Sequence, residues 1–122
     1  MAEPKSEMVE RRRGKVAPRD LRIAREFSAS LAGHYDRSLF EVTFFGSRAR
    51  GEGDEESDLD LFVALHQDDP GREVEATALR LACDLTLKHG VLVSALVADR
   101  AFLTSHEGYS LLETIEEDGI PL

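Results

Sequence analysis

Apolar residues return along the chain with two different periods. From residue 19 to 33, Leu21, Ile23, Ala24, Phe27, Leu31 and Ala32 mostly recur at spacings of three and four. That is the period of an amphipathic helix, which Pro18 can open and Gly33 close. Residues 41–45, Glu-Val-Thr-Phe-Phe, are β-branched and aromatic and predict a strand. Residues 46–57 hold three glycines and a run of acids, so most of this segment is loop. Residues 59–64 predict a second strand, and Asp68-Asp69-Pro70-Gly71 a turn. Residues 72–89 are the clearest helix, with Val74, Ala78, Leu81, Ala82 and Leu85 on one face and Gly90 as its stop. Residues 91–97 are nearly all apolar and predict a buried strand. Asp99 is placed to cap a short helix over 100–106, a last helix covers 109–117, and 119–122 form an exit.

The order α-β-loop-β-α-β-α gives an α/β (α+β) class: a small mixed sheet flanked by helices. Three strands are too few for a doubly wound domain. The chain has 122 residues, enough for one domain with one modest core. Residues 1–18 have few large apolar side chains and are expected to be a flexible basic lead-in, with residues 19–122 as the single domain.

Charge sharpens this division. Residues 1–25 carry eight Lys/Arg against four Asp/Glu; residues 26–122 carry seven against twenty. The body is therefore at −13 beneath a basic start that includes Arg11-Arg12-Arg13-Gly14-Lys15. So acidic a body disfavours direct nucleic-acid binding, where phosphate contacts dominate. No stretch free of Asp, Glu, Lys and Arg approaches the roughly 20 residues of a membrane span. No apolar run follows the basic start as a secretory signal requires, and one cysteine cannot form an internal disulfide. The expected location is cytoplasmic. Cys83 falls near the apolar face of its helix and is expected to pack there. His34, His66, His89 and His106 lack metal-ligand spacing, and Tyr35 and Tyr109 are expected in core or surface roles.

The chemistry concentrates in Gly46-Ser47-Arg48-Ala49-Arg50-Gly51, followed after six residues by Asp58-Leu59-Asp60-Leu61. A strand ending in Gly-Ser can turn sharply and bring backbone N–H groups and a hydroxyl to an anion. If a helical turn starts there, its free N–H groups add to that site. Arg48 and Arg50 offer planar forks suited to phosphate oxygens. On a strand, Asp58 and Asp60 point the same way, with Leu59 and Leu61 turned to the core. Two carboxylates held together repel, and a divalent cation relieves them; Mg²⁺ is commonly held by such a pair plus substrate phosphates. Asp60 is the telling residue, because a charge inside an apolar strand is disfavoured without a task.

Gly-Ser, ten residues, then Asp-x-Asp resembles the signature of the DNA polymerase β-type nucleotidyltransferase superfamily. A random chain of this length would match it on the order of once in a thousand. The fuller GSRARG…SDLDL resembles the superfamily's smallest branch, the minimal nucleotidyltransferases, over residues from about 20 to 122. The resemblance implies the polymerase-β-like fold and transfer of a nucleoside monophosphate, AMP from ATP foremost, to a hydroxyl with release of pyrophosphate. It implies that Gly46 and Ser47 hold the triphosphate, that Arg50 and Arg48 support it, and that Asp58 and Asp60 bind two Mg²⁺. It further implies a HEPN-like partner protein, as in toxin–antitoxin pairs whose antitoxin adenylylates the toxin. A homo-oligomer stays open.

One feature departs from that pattern. The superfamily's third carboxylate belongs on the strand over 91–97, which has no acid; Ser94 stands at its place. Glu41, Asp84 and Asp99 are substitutes by composition alone. The departure favours a second reading, an antitoxin that acts by contact on a transferase fold. A small-molecule transferase of the aminoglycoside-modifying kind usually needs an extra acceptor-gripping domain, for which 122 residues leave no space, unless a dimer builds the cleft.

Overall fold

A computed structural model describes Glu7, Val9 and residues 14–122. Helix α1 spans Pro18–Ala32 and a 3₁₀ turn spans Arg37–Leu39. Strands β1 and β2 span Phe40–Phe45 and Leu59–Leu65. Helix α2 spans Glu73–His89 and strand β3 Val93–Ala98. Helices α3 and α4 span Arg100–Ser105 and Ser110–Asp118, and β4 is Ile120–Pro121. The strands form one four-stranded sheet in the order β3-β2-β1-β4. β1 is antiparallel to both neighbours, while β2 and β3, joined through α2, are parallel. The sheet is mixed, as the element order predicts.

Strand alternation divides the sheet into two faces. Val42, Phe44, Leu59, Leu61, Val63 and Val93 are buried in the main core. Ile23, Ala24, Phe27 and Leu31 of α1 and Val74, Ala78, Ala82 and Leu85 of α2 meet them there. The opposite face carries Phe62 and Ala98 under Ile115 of α4, with Phe45, Ala64, Leu103 and Leu112 around them. The helices cover only part of that second face. Asp60 is half-buried and Ser94 exposed, so this end of the face is open.

Local chemistry explains the boundaries. Pro18 opens α1 without any side-chain cap. The turn predicted at 68–71 caps α2: Asp69 accepts from the N–H groups of Val74 at 3.3 Å and Glu75 at 3.1 Å. Gly90 ends α2 in the left-handed region at φ 70°, whereas Gly33 stays right-handed at φ −75°. Asp99 caps α3 as expected, accepting from Phe102 N–H at 2.9 Å. Glu26 joins the two helices through Lys88 Nζ at 2.9 Å and His89 Nε2 at 3.2 Å; those hydrogen bonds hold its carboxyl below the usual carboxylate range.

Three expectations change. β3 is not a buried strand: it is an edge of the sheet, with Leu96 and, just ahead of it, Leu92 exposed. The exit contains a strand: Ile120 pairs with Phe44 and Pro121 with Thr43. Proline is tolerated because β4 is an edge. Cys83 is exposed rather than packed, since the α2 stripe runs through Ala82 and Leu85 on either side of it. Ordered structure is also described ahead of Pro18. Gly14 and Lys15 have helical backbone and Val16 is 6% exposed, within the core. Arg11-Arg12-Arg13 lie outside the described residues. Among the described residues no helix is long and apolar enough to cross a membrane.

Phe27 is fully buried between the helices and the sheet. Phe27→Ala is expected to cost ~3–5 kcal/mol, read as a fall in the urea midpoint at unchanged slope.

Candidate active site

The open end of the sheet is where the two halves of the motif meet. Phe45, the last residue of β1, lies opposite Asp60 of β2. Gly46 follows with φ 85°, a left-handed conformation that favours glycine. A Cβ at Gly46 would collide with Asp60 Oδ2 and come within 3.3 Å of its Cγ. The glycine is therefore required twice, by its backbone angle and by the carboxylate it touches.

After Gly46 the chain makes a tight turn. The Ser47 carbonyl accepts from the N–H groups of Glu52 at 2.9 Å, Gly53 at 3.1 Å and Arg50 at 3.2 Å, closing the loop on its own base. Within the described residues, no hydrogen bond engages the N–H groups of Ser47 and Arg48 or the Ser47 hydroxyl. These donors open the turn, the arrangement expected for an anion cradle. The loop returns through a turn built on Asp54. Its Oδ1 accepts from Glu56 N–H at 3.0 Å and from the Ser57 hydroxyl at 3.1 Å, which holds the Asp54 carboxyl low. Ser57 then delivers the chain to Asp58 and β2.

Asp58 is exposed and Asp60 half-buried. Burial pushes the Asp60 carboxyl above its ordinary value, and the charge of Asp58 adds to that. No Lys, Arg or His among the described residues forms an ion pair with either. An uncompensated carboxylate pair against a loop with free N–H donors fits a hard divalent cation shared with a phosphate-bearing ligand. No group of three or more His, Cys, Asp and Glu side chains assembles among the described residues, so a cation held by this pair would draw its remaining ligands from other oxygens.

Ser94 lies where the sequence places it. It is the parallel partner of Asp60, on the same face and exposed. None of the substitutes reaches the pair. Glu41 pairs with Ala64, four residues along β2 from Asp60, or ~13 Å at strand rise. Asp84 lies on α2, the helix packed on the other face. Asp99 is occupied as the α3 cap.

The two arginines part company. Arg50 stays at the surface, its side chain 39% exposed, and among the described residues only Glu52 Oε2 pairs with it, at 3.1 Å. Such a pair is weak and leaves the guanidinium available to an anion. Arg48, expected to support the phosphates, makes contacts within the protein instead of facing the open end of the turn. It is 8% exposed and turned inward, onto Asp20 of α1 and the Ser57 carbonyl. Asp20 was not legible as a site residue, because an acid in the first turn of a helix is ordinary. Gly53 was missed too: a Cβ there would lie 2.8 Å from Arg48 Cγ.

A groove of about 750 Å³ lies elsewhere, its lining including Glu41, Thr43, Leu112 and Glu116 but none of the six motif residues. The open cradle is the better candidate, because the free donors and the carboxylate pair converge there.

Comparison with known proteins gives the family. A family model described as a nucleotidyltransferase domain matches residues 24–118. Two curated proteins of Methanocaldococcus jannaschii, each named "Putative protein adenylyltransferase", are similar. One is 28% identical over 100 residues, covering 82% of this chain and 95% of the relative. The other is 28% identical over 95 residues, covering 78% and 89%. No solved structure matches significantly. The matched segment contains the whole loop, the acid pair and the strand beside them, so the chain belongs to the nucleotidyltransferase domain family and its chemistry is nucleotidyl transfer.

Proposed function

We propose that the protein is an Mg²⁺-dependent adenylyltransferase that moves AMP from ATP to a hydroxyl on a partner protein. The observation that carries this reading is the contact between Gly46 and Asp60, which sets a phosphate cradle directly against a carboxylate pair. The names of the two relatives support the adenylyl group and the protein acceptor. The resemblance of GSRARG…SDLDL to the minimal nucleotidyltransferases supports a HEPN-like partner and a cytoplasmic toxin–antitoxin setting.

Each residue has a task in this reading. The Ser47 hydroxyl and the Ser47 and Arg48 N–H groups orient the triphosphate. Arg50 exchanges its surface partner Glu52 for phosphate oxygens. Asp58 and Asp60 would hold two Mg²⁺ ions, which would supply charge neutralisation at the phosphates and lower the pKa of the attacking hydroxyl. Attack of the acceptor oxygen on the α-phosphorus would form the new P–O bond as the bridge to the β-phosphate breaks. Pyrophosphate would leave with that bridging oxygen, and the hydroxyl's proton would pass to solvent, since among the described residues no third carboxylate stands beside the pair. The test is equilibrium binding of a fluorescent ATP. Binding that requires Mg²⁺, and is lost in the Asp58→Asn/Asp60→Asn variant, supports the reading; Mg²⁺-independent binding of equal strength in both would refute it.

Ser94 favours a second reading, an antitoxin that neutralises its partner by contact alone. A neutral hydroxyl is a poor metal ligand and a poor base at pH 7. Ser94→Asp separates the two. It restores a carboxylate on the face and in the register of Asp60. For an enzyme working without its third acid, transfer should rise at least tenfold, within the range general-base catalysis supplies. A contact antitoxin would show no transfer before the change and unaltered neutralisation after it.

A further inference from the structure

Arg48 and Asp20 form a buried ion pair whose geometry serves the site rather than the ligand. Arg48 Nη1 donates to Asp20 Oδ1 at 2.9 Å and Oδ2 at 3.1 Å, and Nε donates to the Ser57 carbonyl at 2.7 Å. Both side chains are 8% exposed. One guanidinium therefore joins three pieces of chain: the cradle at residue 48, the residue preceding Asp58, and the first turn of α1. Gly53 lets the returning loop lie directly on the Arg48 side chain. A second contact runs parallel to the first. Gly51, at φ 73°, sits so close to the Lys15 carbonyl that a Cβ there would collide with it. Val16 anchors the same segment in the core.

Lys15, Val16 and Asp20 all precede residue 24, where the family match begins. The loop between Gly46 and Asp58 has no strand or helix of its own to fix it. A tether from residue 48 to residue 57 removes most of its freedom to move one half of the site against the other. Charge points the same way, because an arginine neutralised by a buried aspartate adds little positive potential for a triphosphate.

We propose that Asp20 and Arg48 are positioning residues, which hold Asp58 at a fixed distance from the Gly46-Ser47 cradle by clamping Ser57 to α1. This rests on the assignment of cradle and carboxylates to nucleotide and metal. Removing one partner would strand a buried charge and endanger folding. The informative variant is thus Asp20→Leu/Arg48→Met, since apolar replacement of a buried pair is often neutral or stabilising. Arg48→Lys is the second variant. It keeps the charge but loses the fork that spans Asp20 and Ser57.

The measurement is the Mg²⁺ concentration needed for half-maximal binding of fluorescent α,β-methylene-ATP, with melting temperature read alongside. The expected result is a double variant that melts near wild type but needs at least tenfold more Mg²⁺, with Arg48→Lys shifted in the same direction. Unchanged Mg²⁺ dependence in either folded variant overturns the proposal, whatever happens to stability. If lysine restores wild-type binding while the double variant does not, Arg48 is a phosphate ligand and the proposal falls. Should wild type itself fail to bind the nucleotide with Mg²⁺, the site assignment fails first and takes the proposal with it.

Discussion

Asp60→Asn is expected to abolish nucleotidyl transfer and, without ligand, to raise the melting temperature. The loss should be roughly a thousandfold, because several kcal/mol of charge stabilisation at the phosphates depend on this carboxylate. The gain in stability has a separate cause. Asp60 is half-buried, next to Asp58, and its carboxyl is pushed above its ordinary value first by burial and then by that neighbour. The folded protein therefore holds the Asp60 proton more tightly than the unfolded chain does. As pH rises from the unfolded pKa through the raised folded value, the unfolded state binds fewer protons and stability falls. Above that window the full penalty is present, and asparagine removes it. The variant should then melt a few degrees higher at pH 7, with the difference vanishing below pH ~3.8. Mg²⁺ should narrow the gap by stabilising wild type alone. Paired melting curves at pH 3 and 7, with and without Mg²⁺, check each arm. A variant that melts lower than wild type at pH 7 would show that Asp60 serves the fold and not a ligand.

Gly46→Val should damage both fold and chemistry. A β-branched residue at φ 85° is an outlier, with strain of ~1–3 kcal/mol. Its Cβ would also strike Asp60 Oδ2, so the cradle must move off the carboxylate or the strand end must bend. A displacement of about 1 Å at a reacting centre can cost on the order of a hundredfold, and transfer should fall at least that far. The cause can be isolated by a cycle with Asp60→Ala. Removing the carboxylate relieves the collision but not the backbone angle, so part of the lost stability should return while transfer stays absent. Additive stability losses in the double variant would mean that the two residues do not touch.

Much of this was legible in the sequence, for reasons that differ by element. Periodicity placed α1, β1, β2, α2 and β3, because their apolar stripes are long and end at Gly, Pro or Asp. Asp60 stood out as a charge on an apolar strand, and Ser94 was placed by the resemblance, at the position of the superfamily's third carboxylate; its pairing with Asp60 is seen in the structure. β4 escaped notice because two residues with a proline carry no period. Arg48 and Arg50 have the same residue type two positions apart, and nothing local says which turns inward. The answer depends on Asp20, 28 residues earlier in the chain. Cys83 was misplaced by about one position on a helix, enough to move a side chain from the buried stripe to the surface.

The central claim is that the cradle and the carboxylate pair transfer AMP to a protein. It is tested most directly by incubating the protein and the partner that co-purifies with it, or is encoded beside it, with Mg²⁺ and α-labelled ATP. The Asp58→Asn/Asp60→Asn variant runs in parallel. The account predicts label on the partner with wild type and none with the variant. A stable complex that stays unlabelled with every nucleoside triphosphate, and equal neutralisation of the partner by wild type and variant, would contradict it and leave a contact antitoxin.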